Sequence, residues 1–281
     1  MLLGYNTNGL AHHAIADAIE LLAGIGYRAV GVTLDHGVLN PYSHGLGSQI
    51  EKLNSLASEH ALTYVVETGA RFLLDPDRKH EPTLVSPTKE QRNGRVEFLN
   101  MAVQIAADLG ASCVSLWSGV VHDGADRETA WQRLTESLPR VLREAEKRNV
   151  TLAFEPEPGM LVATLADYAE LKQRLAAAGE PLRLTIDIGH LHCQDELPIH
   201  EKLRAHAGEL VNVHIEDMRR GVHEHLMFGE GQIDFQPIIA TLQKMGYDGP
   251  LCVELSRHSH DGPNVARAAY QWLTQRLNAS A

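Results

Sequence analysis

Residues 150–190 read VTLAFEPEPGMLVATLADYAELKQRLAAAGEPLRLTIDIGH. A short apolar run, VTLAFE (150–155), leads into a proline-containing turn. An amphipathic stretch, TLADYAELKQRLAAAG (164–179), follows, and then a second apolar run, LRLTID (182–187). Both runs are continuous rather than alternating in polarity, as parallel strands covered on both faces require. Asp167 and Glu170 fall early in the amphipathic stretch, where the helix dipole favours acids. The segment therefore reads as one strand–helix–strand unit.

The same unit repeats outward in both directions. Apolar runs occur at 2–6 (LLGYN), 29–35 (AVGVTLD), 62–67 (LTYVVE), 112–117 (SCVSLW), 210–216 (LVNVHIE) and 250–256 (PLCVELS). Helical spacing marks 12–26, 48–60, 95–110, 131–149, 235–246 and 264–278. Gly24 and Gly26 close the first of these, and Pro139 is expected to kink the fourth. The weakest helical pattern is LPIHEKLRAHAGE (197–209). Eight units in strict alternation predict a single (β/α)8 barrel of class α/β. No Pro/Gly/Ser-rich linker divides the chain, so 1–281 is read as one domain. The longest connection, about 69–90, is expected to cover the C-terminal mouth of the barrel.

The net charge of −11 argues against a sequence-independent grip on nucleic acid and against docking on anionic lipid. Cys113, Cys193 and Cys252 are too sparse for a disulfide framework. No secretory signal and no run of about 20 apolar residues is visible, so a soluble cytoplasmic protein is expected.

In such a barrel the active site lies where the strands end. Four consecutive strands carry a potential metal ligand there: Glu155, Asp187, His214 and Glu254. Each alone has a plainer reading, as a solvated or capping acid or a core histidine. Together they differ, because adjacent carboxylates repel unless a cation or proton intervenes. Three carboxylates and one imidazole suit Mn²⁺ or Mg²⁺, with Co²⁺ and Zn²⁺ also open.

The pattern E-P-E-P from Glu155, D-x-G-H from Asp187, H-x-x-D from His214, G-E-G-x-I-D from Gly229 and V-E-L around Glu254 resembles the xylose isomerase-like TIM-barrel superfamily. Within it the chain is similar to the ketose 3-epimerases, hydroxypyruvate isomerase and inosose-processing enzymes. The resemblance implies one divalent cation, Mn²⁺ favoured, on Glu155, Asp187, His214 and Glu254. It also implies that Glu155 and Glu254 act as acid and base on a keto-sugar or related polyol ketone, through a metal-stabilised cis-enediolate. A lyase acting on an inosose or 3-keto-glycoside would share that first step. Phosphoester hydrolysis, as in the apurinic endonucleases of the superfamily, fits less well. Its histidine ligands after strands three and four are replaced by Glu67 and Trp117. A small carbohydrate is thus the expected partner, with no nucleic acid or membrane, and a homodimer is left open.

The offsets of His190 and Arg220 match substrate-holding positions of the epimerases. The plainer readings are a capping histidine and a solvated arginine. The epimerases carry a further substrate-contacting Glu six residues after the strand-five ligand. Here that position is Leu161, and Glu157 is the nearest acid. Trp117 and Glu67 are candidate substrate contacts, Trp117 with rim packing as its alternative. His190, His223 and His225 form a candidate second metal site, at positions resembling an endonuclease metal site. Arg71, Arg78, Lys79 and His80 form a basic cluster that could meet a phosphate or carboxylate, or simply face solvent.

Overall fold

A computed structural model describes residues 1–176 and 182–279. Eight parallel strands close into a barrel: β1 (Leu2–Asn6), β2 (Ala29–Thr33), β3 (Thr63–Glu67), β4 (Val114–Leu116), β5 (Leu152–Phe154), β6 (Arg183–Asp187), β7 (Leu210–Ile215) and β10 (Pro250–Val253). Neighbours in sequence are neighbours in the sheet, and β10 pairs with β1 to close it. This is the (β/α)8 architecture that the alternating pattern predicts.

Helices α1 (Ile15–Ile25), α2 (Leu46–His60), α3 (Lys89–Leu109), α4 (Arg127–Lys147), α5 (Leu165–Leu175), α8 (Phe235–Lys244) and α9 (Gly262–Ala279) surround the sheet. Between β6 and β7 stand two short helices, α6 (Ile188–Cys193) and α7 (Ile199–Ala205), in place of one regular helix. The predicted helix over 164–179 is observed as α5, and its positions 177–179 lie outside the described residues. Helix α4 runs without interruption past Pro139.

Local chemistry sets the helix ends. Thr88 and Gln91 form a reciprocal capping box on α3, and Thr164 and Asp167 do the same on α5. Gly26 takes φ 125° after α1, a conformation that side chains rarely adopt. The inner helix faces bury Val96, Phe98, Leu99 and Val103 of α3 and Trp131, Leu134, Leu138 and Leu142 of α4. Each fully buried side chain of this size contributes about 1.5–3 kcal/mol.

Inside the barrel, side chains alternate by twos and stack in layers. Val65, Cys113 and Ala153 form a small apolar layer. One step toward the C-terminal end the layer turns polar: Ser115 Oγ lies 3.1 Å from Thr185 Oγ1, and Asn212 Nδ2 lies 3.5 Å from the same hydroxyl. Acids and histidines occupy the mouth above it.

One element has no counterpart in the sequence reading. A hairpin of β8 (Asp217–Arg219) and β9 (Val222–Leu226) follows β7, turning at Gly221 with φ 67°. Its strands are short and polar, so they carry no apolar signature. The hairpin projects His223 and His225 from one face of β9 toward the barrel mouth.

Candidate functional site

Strand ends deliver the four predicted ligands to one point. Asp187 closes β6 and caps α6, accepting the His190 backbone N–H at 2.8 Å. His214 lies on β7, paired in register with Asp187 on one side and Cys252 on the other. Glu155 and Glu254 stand one residue beyond β5 and β10. Ligand atoms of Glu155, Asp187, His214 and Glu254 all lie within 4.8 Å of one another. Nδ1 of His214 is 3.0 Å from both Glu155 Oε1 and Glu254 Oε2. Asp187 Oδ2 is buried without a hydrogen-bond partner, as a ligand oxygen would be before it meets a cation. Donor types, spacing and this orphaned oxygen fit a divalent ion.

The surroundings hold each group in place. Asn6 and Asn8 donate to the two oxygens of Glu254 at 3.2 and 2.9 Å. Asn6 fits because residue 31 is glycine: a Cβ at Gly31 would stand 1.8 Å from Asn6 Oδ1. Nε2 of His214 faces Glu67 Oε1 at 2.9 Å, with Asn212 Nδ2 3.1 Å away. A neutral His214 with its proton on Nε2 would donate to Glu67 and leave Nδ1 free for a metal. Glu67, expected at the substrate, lines the cavity but is committed to His214.

Burial and charge separate the two glutamates. Burial drives the Glu155 carboxyl up to about 7, against the pull of His214. Burial also acts upward on Glu254, but His214 outweighs it and holds Glu254 well below the usual carboxylate range. Burial alone would lower His214, yet Glu67, Glu155 and Glu254 raise it well above an ordinary histidine. Burial, reinforced by Glu155, raises Glu157 strongly. Two carboxyls whose proton affinities are pushed apart can serve as acid and base at neutral pH.

The ligands open into a cavity of about 440 Å³, a volume ordinary for a small-molecule site. Trp117 is 8% exposed and forms part of its wall. The Arg95 guanidinium lies 4.4 Å from the Trp117 ring centre, and His80 meets the ring edge-on. Arg95 was invisible to sequence reasoning, being one arginine on an otherwise apolar helix face. Its Nη2 donates to Thr68 O at 2.8 Å, and burial pulls it down to about 9.

The basic cluster divides. Arg71, Lys79 and His80 line the cavity, joined by Arg257, which sequence analysis did not single out. Arg78 turns away to Asp75 Oδ2 at 2.6 Å. Arg220 also corrects an expectation. It sits in the β8–β9 turn, exposed, paired with Asp195 and off the cavity lining, because the hairpin carries it outward.

His190, His223 and His225 do converge, with ligand atoms within 4.8 Å. Nδ1 of His190 faces Pro156 O at 3.2 Å, and its Nε2 is 3.1 Å from His223 Nε2. Glu157 reaches toward both, 3.7 Å from His190 Nδ1 and 3.6 Å from His223 Nε2. Asn212 and Glu216 were also missed. Both share the inward face of His214 by a spacing of two, a signal that the run NVHIE carried.

Residues 19–276 match the family described as xylose isomerase-like TIM barrel. The L-ribulose-5-phosphate 3-epimerase UlaE of Shigella flexneri serotype 5b (strain 8401) is 30% identical over 227 residues, spanning 76% of this chain and 75% of the relative. Its namesake in Escherichia coli (strain K12 / DH10B) is 30% identical over 220 residues with the same coverage. A D-tagatose 3-epimerase-like protein superposes with a TM-score of 0.79 at 20% identity, covering 100% of this chain and 98% of the other. D-allulose 3-epimerase from Methylomonas sp. gives 0.76 at 18% identity, covering 99% and 98%. These two structural matches bear on the fold alone. No helix among the described residues is long and apolar enough to cross a membrane. By the extent of the family match and the similarity to these relatives, the chain belongs to the xylose isomerase-like TIM-barrel family.

Proposed function

We propose that the protein is a divalent-cation-dependent ketose 3-epimerase whose substrate carries an anionic end group. The observation that carries this reading is the pair Glu155 and Glu254, each 3.0 Å from His214 Nδ1, with opposed proton affinities in one cavity. A cation held by Glu155, Asp187, His214 and Glu254 would supply Lewis-acid polarisation of the ketose carbonyl and its neighbouring hydroxyl.

The protein's own groups then move the proton. Ionised Glu254, oriented by Asn6 and Asn8, removes hydrogen from the carbon beside the carbonyl. Protonated Glu155 returns its proton to the opposite face, and the configuration inverts. After one turnover the two carboxyls have exchanged protonation states, and solvent resets them. Trp117 and the loop between β3 and α3 wall the cavity.

Lys79 places positive charge at the mouth of an otherwise acidic site, beside Arg71 and Arg257, which are held there by Asp35 at 3.0 Å and Glu224 at 3.5 Å. Charge-assisted hydrogen bonds of that kind select a phosphate or carboxylate. The relative that is 30% identical is named for a ketose 5-phosphate, which agrees with this charge arrangement.

The test is Mn²⁺-loaded protein in D₂O with L-ribulose 5-phosphate, L-ribulose, D-tagatose and D-allulose, followed by proton NMR. Deuterium should enter at C3 with formation of the epimer. The phosphorylated ketose should be preferred by roughly 10- to 150-fold in kcat/KM, the equivalent of about 1.5–3 kcal/mol for a hydrogen bond to a charged group. Loss of water in place of the epimer would identify a lyase. No exchange in any of the four would overturn the reading.

Glu67 should govern metal affinity through His214. The substitution Glu67→Gln keeps the shape and removes the charge behind Nε2. Mn²⁺ titration should then show affinity about tenfold weaker, the lower end of the usual effect of such partners. Unchanged affinity would return Glu67 to a role at the substrate.

A further inference from the structure

We propose that Arg95 is a positioning residue of the catalytic cavity: its buried guanidinium fixes the Trp117 indole, the wall against which the substrate's carbon chain packs. Only the role toward substrate rests on the epimerase reading; the hold on Trp117 stands apart from it.

Arg95 is 0% exposed, and no other arginine or lysine among the described residues is buried. Taking a cation out of water is costly unless an anion or a full set of acceptors meets it. Among the described residues Arg95 forms no ion pair. Glu81 attracts it from a distance but is itself held by Ser86 Oγ at 2.7 Å and His122 Nε2 at 3.3 Å. Of the guanidinium nitrogens only Nη2 has a partner, donating to Thr68 O at 2.8 Å; Nε and Nη1 are buried without one. Hydrogen bonds therefore compensate little of its burial.

Its remaining contacts are with aromatic rings. The guanidinium carbon lies 4.4 Å from the Trp117 ring centre and 5.1 Å from that of Phe98, which follows one turn later on α3. Attraction between a cation and a ring is greatest for a desolvated guanidinium over an indole. Trp117 has no competing anchor. It stands one residue beyond β4, and among the described residues its indole N–H has no acceptor. His80 packs across the ring at 79°.

The same arginine holds the neighbouring strand end. Thr68, whose carbonyl accepts from Arg95, donates through its hydroxyl to Ser115 O at 2.8 Å. Thr68, Ser115 and Trp117 all line the cavity, whereas Arg95 stands behind them. One side chain of α3 thus fastens the ends of β3 and β4 from outside the wall.

The experiment compares Arg95→Met, Trp117→Leu and the double variant with wild type, each as the full chain. Methionine suits the apolar face of α3 and removes the charge. With diamagnetic Mg²⁺ bound, ¹H–¹⁵N spectra show the indole resonances of the 3 tryptophans, and the one lost in Trp117→Leu belongs to Trp117. Arg95→Met should shift and broaden that resonance and leave that of Trp272, on α9, in place. With the ketose that wild type epimerises, Arg95→Met should raise KM about tenfold, the equivalent of about 1.4 kcal/mol. The wall holds ground state and transition state alike, so kcat should stay within about twofold. Mn²⁺ affinity should not change. The double variant should be no worse than Trp117→Leu, because the arginine acts through the ring. Arg95→Lys keeps the charge without the flat group, so KM should rise there too, and it tests the hold even if Arg95→Met does not fold. An unmoved Trp117 resonance would overturn the proposal. So would a KM within about twofold of wild type in both arginine variants, or losses that add in the double variant. A displaced resonance in a protein whose wild type exchanges no proton in any ketose would support the hold on Trp117 and overturn the epimerase reading alone.

Discussion

Glu254→Gln is expected to lower epimerisation by at least roughly 10³-fold, within the range that a positioned acid or base supplies. Glutamine keeps the size of the side chain and one of the two oxygens to which Asn6 and Asn8 donate, but cannot accept the substrate proton. Glu155→Gln should do the same from the other side of His214. The two variants should fail differently. Each keeps one working carboxylate, so each should still wash deuterium into at most one epimer, and the epimer should differ between them. Metal content measured alongside separates lost chemistry from a lost ligand. If both variants interconvert the epimers at the wild-type rate, the acid–base assignment is wrong.

The second large effect is on stability. The stripped protein buries mutually repelling carboxylates, and a cation that binds only the folded state stabilises it by mass action. At a hundredfold excess over Kd this amounts to about 2.7 kcal/mol. For a chain of this size that corresponds to a rise in Tm of roughly 5–10 °C.

The rise should grow with pH. Glu155, driven up to about 7 by burial, keeps its proton in the stripped fold. That contribution is complete below the ordinary glutamate range and is lost as pH rises through about 7. His214, raised well above its usual value, behaves likewise. The cation must displace the His214 proton, so its added stability should be small near pH 5 and large near pH 8. His80 and His223, each pulled down to about 4 chiefly by burial, titrate in the opposite sense. They belong to loaded and stripped protein alike, so the difference in Tm removes most of their effect. Thermal melts with and without Mn²⁺ across this range test the point. A shift independent of pH would mean that His214 is not a ligand.

Much of this site was legible before any coordinates. Continuous apolar runs alternating with amphipathic stretches specify parallel strands with helical crossovers, and eight such units specify closure. Closure alone sends every strand end to one mouth, so Glu155, Asp187, His214 and Glu254 had to meet. Side-chain alternation also carried Asn212 and Glu216, two residues either side of His214. They passed unnoticed because a strand buried on both faces shows no change of polarity to mark which side chains point inward.

Other features depended on contacts distant in sequence. Glu67 lies 147 positions from His214, and Asn6 lies 248 from Glu254, so nothing local announces either hydrogen bond. The β8–β9 hairpin turns Arg220 outward and His225 inward through a glycine turn that no apolar period marks. The difference in proton affinity between Glu155 and Glu254 is likewise tertiary. The same residue type sits 3.0 Å from the same imidazole nitrogen in both cases. What separates the two is desolvation and the surrounding charges, which exist only once the barrel has closed. The sequence by itself determined the barrel and the convergence of ligands, because both follow from the order of elements along the chain. Only the tertiary structure decided how the proton affinities of Glu155 and Glu254 are pushed apart and which side chains line the cavity, because those depend on burial and on distances that closure creates.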